Sequence, residues 1–310
     1  MTQFLISVII SAKNAQKHIK KCLDSILKIN YQNYEVIVVN DGSEDDTTKI
    51  LAGYKSIKVL TTDGIGPSAA RNLAIKESGG EFIAFTDADC IVDSEWLTEL
   101  LKVFVNDNVA GAGGIQKSPE DDSRFGKKVQ ELLSILGFIS DYMKPCTKIQ
   151  RAKHNPTCNV MYRKSVLVEA GGFLEGLWPG EDVELDHRIE KKGYELMFNP
   201  GAIVYHYRPG SLRDFNRMMF CYGLSQGWLV RKYGFFRIIH FVPIFLLILI
   251  LLLPVNIYLD ALILLSIIFI LFLKLVMTSD RFLMLKLFFI TIIAWNLGFI
   301  RGLIKNRYGK

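Results

Sequence analysis

Four short apolar runs punctuate the N-terminal part of the chain: "FLISVII" (4–10), "YEVIVVN" (34–40), "SIKVLT" (56–61) and "EFIAFTD" (81–87). Each is rich in β-branched and aromatic residues, and each has strand length. Between them the apolar residues recur at three- and four-residue spacing. Ile19, Leu23, Ile26 and Leu27 in "AQKHIKKCLDSILK" form one helical face. "PSAARNLAIKES" and "SEWLTELLKVF" read the same way, the second with Asp93 or Ser94 as its expected N-cap. Strand and helix alternating at this rhythm imply right-handed βαβ units and a parallel sheet. In such sheets ligands bind beyond the carboxyl ends of the strands. The polar clusters "SAKN", "NDGSEDD" and "TDAD" all fall there.

Further along, the pattern changes solvent. From Ile238 to Ile300 the sequence is almost continuously Leu, Ile, Phe and Val, whereas residues 1–237 are an ordinary soluble mixture. Apolar runs at about 238–259, 261–279 and 282–300 each approach the roughly 20 residues that a bilayer requires. Ser211 to Arg237 mixes Leu212, Phe215, Met218, Met219, Tyr222, Trp228 and Leu229 with five basic residues, which suits an amphipathic segment in the headgroup layer. An ordinary helix packed on the soluble domain is the alternative. The expected organisation is thus a soluble domain over 1–210, an interfacial segment over 211–237 and a transmembrane region over 238–310. "PVNIYLDA" carries no Lys or Arg and Arg281 flanks the return, so the soluble domain is expected on the cytoplasmic side of a multi-pass cell-membrane protein. The basic tail "RGLIKNRYGK" conflicts with three full crossings, so the third segment is read as either spanning or re-entrant. "FLISVII" is too short to span and lacks the flanks of a signal peptide, so none is expected.

The chain has 310 residues, is 50% hydrophobic and carries a net charge of +6. Its five cysteines are scattered without a C-x-x-C pair, which fits free thiols better than a disulfide framework or a zinc site. Neither G-x-G-x-x-G nor a P-loop is present. "GAGG" at 111–114 reads as a flexible turn.

The chemistry concentrates in "AFTDADC" (84–90). Strand residues two apart share a side, so Asp87 and Asp89 point the same way if the strand persists. Two like charges held that close call for a hard divalent cation between them. A solvated Asx-type turn is the competing reading.

"ISVIISAKNAQKHIKKCLDSI", "VIVVNDGSEDDT", "GPSAARNLAI", "FIAFTDAD", "CNVMYRKSVLVEAGGF" and "GEDVELDHRIEKKGY" together resemble, in order and spacing, the inverting family 2 glycosyltransferases of GT-A fold. The resemblance covers roughly residues 4–208. It implies a Rossmann-like, mostly parallel α/β sheet flanked by helices and followed by transmembrane helices. It also implies metal-dependent, inverting, hexosyltransferase-type transfer from a nucleotide sugar, with Mn²⁺ or Mg²⁺ as the metal and a UDP-sugar as the first expectation. On the same resemblance, Asp89 and Asp87 serve the metal and ribose, and Asp182 rather than Glu181 is the catalytic base. Without it, both acids at that helix start read as capping residues.

Further residues carry more than one reading. Asp41 contacts the nucleobase or makes an Asp-Gly turn. Arg71 meets the diphosphate or an ordinary ion pair on a helix surface. His206 joins the metal, as a late histidine does in similar enzymes, or is a half-buried residue of a short strand. Trp178 is read as a core aromatic, with stacking on a sugar as the alternative. Ser11 and Lys13 lie in the loop after the first strand. Similar enzymes commonly have an aromatic residue where this chain has Lys13, so base stacking is lost there and a phosphate contact becomes the alternative. Asn159 lines the acceptor side or bonds a turn.

An enzyme tethered at the bilayer points to a lipid-linked or other saccharide acceptor and to membrane lipids as partners, with no role for nucleic acid. A polyprenyl-phosphate glycosyltransferase is the nearest alternative, although an ionised phosphate acceptor needs no base and "GED" argues against it. A catalytically inactive membrane scaffold is the alternative of a different class. Retained Asp41, Asp87, Asp89 and Asp182 speak against that one.

Overall fold

The computed structural model describes residues 4–136, 147–241, 243 and 280–305. It divides into two compact units, one formed by the described residues up to 122 together with 147–207, the other by those of 123–136 and from 208 onward.

The first unit is built on a sheet whose strands, among the described residues, are β1 (Ile6–Ala12), β2 (Tyr34–Asp41), β3 (Lys58–Thr62), β4 (Phe82–Asp87), β5 (Cys90–Val92), β6 (Val109–Lys117), β7 (Gln150–Ala152), β8 (Val160–Arg163) and β9 (Glu195–His206). Their order is β3-β2-β1-β4-β8-β6-β9-β5, with β7 paired to β9. The half built from β3, β2, β1 and β4 is parallel, in agreement with the sequence pattern. Beyond β4 the sheet is mixed: β8 is antiparallel to β4 and β6, and β5 and β7 are antiparallel to β9.

The helices α1 (Ile19–Ile26), α2 (Thr47–Leu51), α3 (Pro67–Glu77), α4 (Trp96–Leu101), α6 (Lys164–Glu169) and α7 (Glu181–Lys191) cover both faces. Ile6, Val8, Ile10, Val36 and Val38 pack with Ile19 and Leu23 of α1 and Trp96 and Leu100 of α4. Ile9, Ile37, Val39, Ile83 and Phe85 turn the other way, onto Ala70 and Ala74 of α3 and Leu185 and Ile189 of α7. A one-residue slip of β1 would exchange these two sets, so burial on both faces fixes the register.

Two expectations are corrected here. "GAGG" is no turn but the middle of β6. Its glycines serve close approach: a Cβ on Gly113 would meet the side chain of Asn155, and one on Gly114 would meet Ala202. The strand carrying His206 is also not short but the twelve residues of β9.

In the second unit, α5 (Arg124–Leu136), α8 (Leu212–Tyr233) and α9 (Arg281–Ile304) are described. The stretch read as interfacial is thus largely one helix, capped by Ser211, whose Oγ accepts from Asp214 N at 3.1 Å. It packs against α9 through glycines on both partners. A Cβ on Gly223 or Gly227 would run into the backbone of Trp295 or Phe299, and one on Gly298 or Gly302 into that of Phe220 or Leu224. Small residues four apart on each helix, allowing backbones to touch, are the device by which helices associate in lipid. Gly298→Leu is therefore expected to separate α8 from α9 at a cost of at least about 1–3 kcal/mol. The check is the unfolding midpoint of detergent-solubilised protein against an Ile293→Leu control on the exposed face of α9.

Among the described residues, α9 is the helix long and apolar enough to cross a membrane by length and composition. It covers the third apolar segment without a break. Most of the segments at 238–259 and 261–279 lies outside the described residues; residues 238–241 form a single 3₁₀ turn.

Candidate active site

Because β1, β2 and β4 run parallel, their C-terminal ends share one edge, and Ser11 stands beside Asp87 in the β1–β4 register. Asp89 follows in the short link to β5. Antiparallel pairing of β5 with β9 sets Cys90 opposite His206. That pairing carries His206 Nε2 to 3.3 Å from Asp89 Oδ1, while Nδ1 lies 3.4 Å from Gln116 Oε1. Asp87, Asp89 and His206 each offer a ligand atom, and the three lie within 4.8 Å of one another. Burial pushes the Asp87 carboxyl up, with Arg71 pulling against it. Burial also raises Asp89, but the neighbouring His206 prevails and holds it below the usual carboxylate range. Two carboxylates and an imidazole are a donor set suited to Mg²⁺ or Mn²⁺.

Arg71 on α3 is buried, not on a helix surface. Its Nη2 donates to Asp87 Oδ1 at 3.0 Å and its Nη1 to Glu181 Oε1 at 2.7 Å. One guanidinium thus ties the end of β4 to the start of α7, where Gly180 adopts a φ of 95° that favours glycine. Burial pushes Glu181 up, and Arg71 opposes it. Removing Arg71 would leave two largely desolvated carboxylates uncompensated, a loss of about 3–5 kcal/mol for a buried pair.

Of the two acids at that helix start, the Glu181 side chain is 3% exposed and the Asp182 side chain 15%. Asp182 Oδ2 accepts from Thr157 N at 3.3 Å and lies 3.9 Å from His154 Nε2. His154 Nδ1 meets Asp186 Oδ2 at 2.9 Å, and Asp186 also accepts from Tyr162 Oη at 2.6 Å and Asn155 N at 2.8 Å. Behind Asp182 there is accordingly a buried His–Asp–Tyr network assembled from β8, α7 and the segment between β7 and β8.

Asp41, at the end of β2, is buried. Its Oδ1 accepts from Thr62 Oγ1 at 2.6 Å and Ile65 N at 2.7 Å, and its Oδ2 from Gly66 N at 2.9 Å. Burial raises this carboxyl, but those three donors outweigh it and hold it low. The carboxylate shapes the loop between β3 and α3, and the exposed Lys13 extends over that loop at Gly64.

Two other expectations change. Trp178 is 57% exposed rather than in the core. Asn159 is consumed internally, accepting from Trp96 Nε1 at 2.8 Å and donating to the carbonyls of Ile115 and Ala202 at 3.0 Å each. On α7, Glu184 is buried and pairs with Arg188, which also donates to the carbonyls of Ala170 and Gly172.

Sequence reading missed the wall beside Asp89. His18 stacks on Tyr207 at a centroid distance of 4.0 Å, Tyr207 N donates to Asp89 O at 3.1 Å, and Tyr207 Oη donates to Asp121 at 2.6 Å. It missed His154 and Asp186 as well. No local signal marked them, since "HNPTCNV" and "ELDHRI" are themselves mostly polar.

The sequence profile of glycosyl transferase family 2 matches residues 7–171. The chain is 31% identical over 208 residues to the glycosyltransferase AglE of Haloferax volcanii, covering 65% of this chain and 66% of that protein. It is 26% identical over 253 residues to a dolichyl N-acetyl-α-D-glucosaminyl phosphate 3-β-D-2,3-diacetamido-2,3-dideoxy-β-D-glucuronosyltransferase of Methanococcus voltae, covering 77% of each. Among solved structures it resembles a mannosyltransferase from Pyrobaculum calidifontis in complex with GDP-Man and Mn²⁺, with TM-score 0.57, 19% identity, and coverage of 72% of this chain and 61% of that one. It also resembles TarS of S. aureus in complex with UDP-GlcNAc, with TM-score 0.52, 20% identity, and coverage of 71% and 66%. The two structural likenesses establish the GT-A-like fold. The chain spans just under two thirds of AglE and of both solved chains.

Proposed function

The chain belongs to glycosyl transferase family 2, and from that premise we propose that it transfers a sugar, with inversion, from a nucleoside diphosphate sugar to a hydroxyl of a lipid-linked saccharide at a membrane surface. The observation that carries this reading is the gathering of Asp87, Asp89 and His206 at one strand edge, joined through Arg71 to the helix bearing Asp182.

Asp89, Asp87 and His206 would hold a divalent cation, which when bound neutralises charge on the leaving diphosphate. Asp182 takes the proton of the attacking hydroxyl. It is favoured over Glu181 because Arg71 already engages Glu181, whereas the Asp182 side chain is the more exposed of the two. His154 Nδ1 meets Asp186 Oδ2 at 2.9 Å and its Nε2 lies 3.9 Å from Asp182 Oδ2, so the imidazole is held beside the proposed base. A single base suits direct displacement, since no second carboxylate is required as nucleophile. Asp41 orders the loop that borders the donor's base, and the second lone pair of its Oδ2 is left for a base N–H. Ser11 and Lys13 border the diphosphate from the β1 side. Trp178, exposed just ahead of Asp182, offers a stacking face to the acceptor sugar.

Support for the membrane setting comes from α9. Phe289, Ile293, Leu297, Ile300 and Ile304 lie along an exposed apolar face, while Leu287, Ala294, Trp295 and Phe299 are buried. Such a face suits lipid, with the N-terminal catalytic domain on the cytoplasmic side and the apolar segments before α9 as further crossings. The test is the anomeric configuration of the product by NMR, after incubating detergent-solubilised protein with nucleotide sugar and a polyprenyl-linked saccharide. Inversion with attachment to a saccharide hydroxyl is expected. Retention, or transfer to the phosphate of polyprenyl phosphate, would refute the assignment.

A further inference from the structure

Beneath the carboxylate pair lies a second set of ligand atoms, two of which, both sulfurs, the reaction does not use. The Sγ atoms of Cys90 and Cys158 and a ring nitrogen of His206 lie within 4.8 Å of one another. Both thiols are buried and form no disulfide. The fold brings them together from distant parts of the chain. Cys90 opens β5 opposite His206 of β9. Cys158 sits in the 3₁₀ turn over Thr157–Asn159, fastened by Thr86 Oγ1 donating to its carbonyl at 3.0 Å and by the three bonds of its neighbour Asn159. Cys90 Sγ is also 3.9 Å from Asp89 Oδ1, so an oxygen donor adjoins the set.

We propose that Cys90, Cys158 and His206 form a binding site for a thiophilic divalent cation such as zinc. Tetrahedral zinc, with bonds of about 2.3 Å to sulfur and about 2.0–2.1 Å to imidazole nitrogen, needs ligand atoms roughly 3.5–3.8 Å apart, inside the observed envelope. Thiolates prefer such an ion over the hard cations that carboxylates hold. Buried cysteines often act only as small apolar fillers. Filling space, however, does not require an imidazole beside both sulfurs. Binding one cation displaces two thiol protons to solvent, leaving a neutral bis-thiolate complex, so acid weakens it. His206 belongs to both ligand sets. On the reading of the carboxylate set given above, zinc below withdraws His206 from Asp89, and the thiophilic ion antagonises the hard one.

The test is zinc-edge X-ray absorption on the full-length, detergent-solubilised protein with one equivalent of zinc alone. Two sulfur scatterers with nitrogen are expected in the wild type, and at most one sulfur in Cys158→Ser. Should that variant fail to fold, His206→Ala keeps both thiols. It is expected to retain the sulfurs, lose imidazole scattering and bind zinc about tenfold or more weakly. Fewer than two sulfurs in the wild type, two sulfurs persisting in Cys158→Ser, or unchanged imidazole scattering and affinity in His206→Ala would overturn the proposal. The signal needs no turnover, so its failure leaves the transferase reading standing, and an inactive protein that gives it leaves the zinc site standing.

Discussion

Asp89→Ala is expected to lower Mn²⁺-supported transfer by about 10²–10³ in kcat/KM, equivalent to about 3–4 kcal/mol of lost charge stabilisation. Asp89 stands between the other two members of the donor set: it follows Asp87 by two residues and lies 3.3 Å from His206 Nε2. Removing it leaves Asp87 already engaged by Arg71 and His206 without its carboxylate partner. The fold should survive, because Asp89 sits in a link between strands rather than in either hydrophobic cluster. The check is steady-state transfer across a Mn²⁺ titration. Unchanged dependence on Mn²⁺ would remove Asp89 from the metal site.

Asp182→Asn separates base catalysis from donor binding. The amide keeps the size of the side chain and preserves an oxygen that can accept from Thr157 N, but it cannot take a proton. Transfer is expected to fall by about 10²–10⁴, with the donor dissociation constant within about twofold of the wild type. Glu181→Gln should behave differently. It weakens the buried contact with Arg71, so its main effect is on stability rather than on the chemical step. Measuring kcat, donor affinity and unfolding midpoint on both variants distinguishes the roles. Near-full transfer by Asp182→Asn would place the base elsewhere.

The parallel half of the sheet was legible because its strands are short β-branched runs alternating with helical stretches. The D-x-D pair was legible as two acids at a strand end. β4 stops at Asp87, however, and Asp89 lies in the turn that follows, so that turn and not the two-residue strand repeat places Asp89. His206 was reachable only through the resemblance, since what brings it to Asp89 is the antiparallel register of β5 on β9, which no local pattern encodes. The same long-range pairing hid the approach of Cys158 to Cys90. "GAGG" misled because glycine marks both turns and strands that another backbone must approach, and β6 is the second case. The glycines of α8 and α9 passed unnoticed because each helix looks unremarkable alone and their meaning lies in the crossing. One of the two readings of Arg71 puts it on a helix surface, where helices carry Arg by default, whereas in the fold two carboxylates from separate elements close around it.

The most direct test of the central claim is the thermal stability of the detergent-solubilised protein with UDP, GDP or dTDP, each with and without Mn²⁺. At a ligand concentration near a hundred times its dissociation constant, binding adds about 2.7 kcal/mol to stability, a readily measured rise in Tm. One nucleotide raising Tm with Mn²⁺ and failing to do so without it is the expected result, and the nucleotide that does so names the base of the donor. No rise with any of the three, or an equal rise without the metal, would contradict a metal-dependent nucleotide-sugar site built on Asp87, Asp89 and His206.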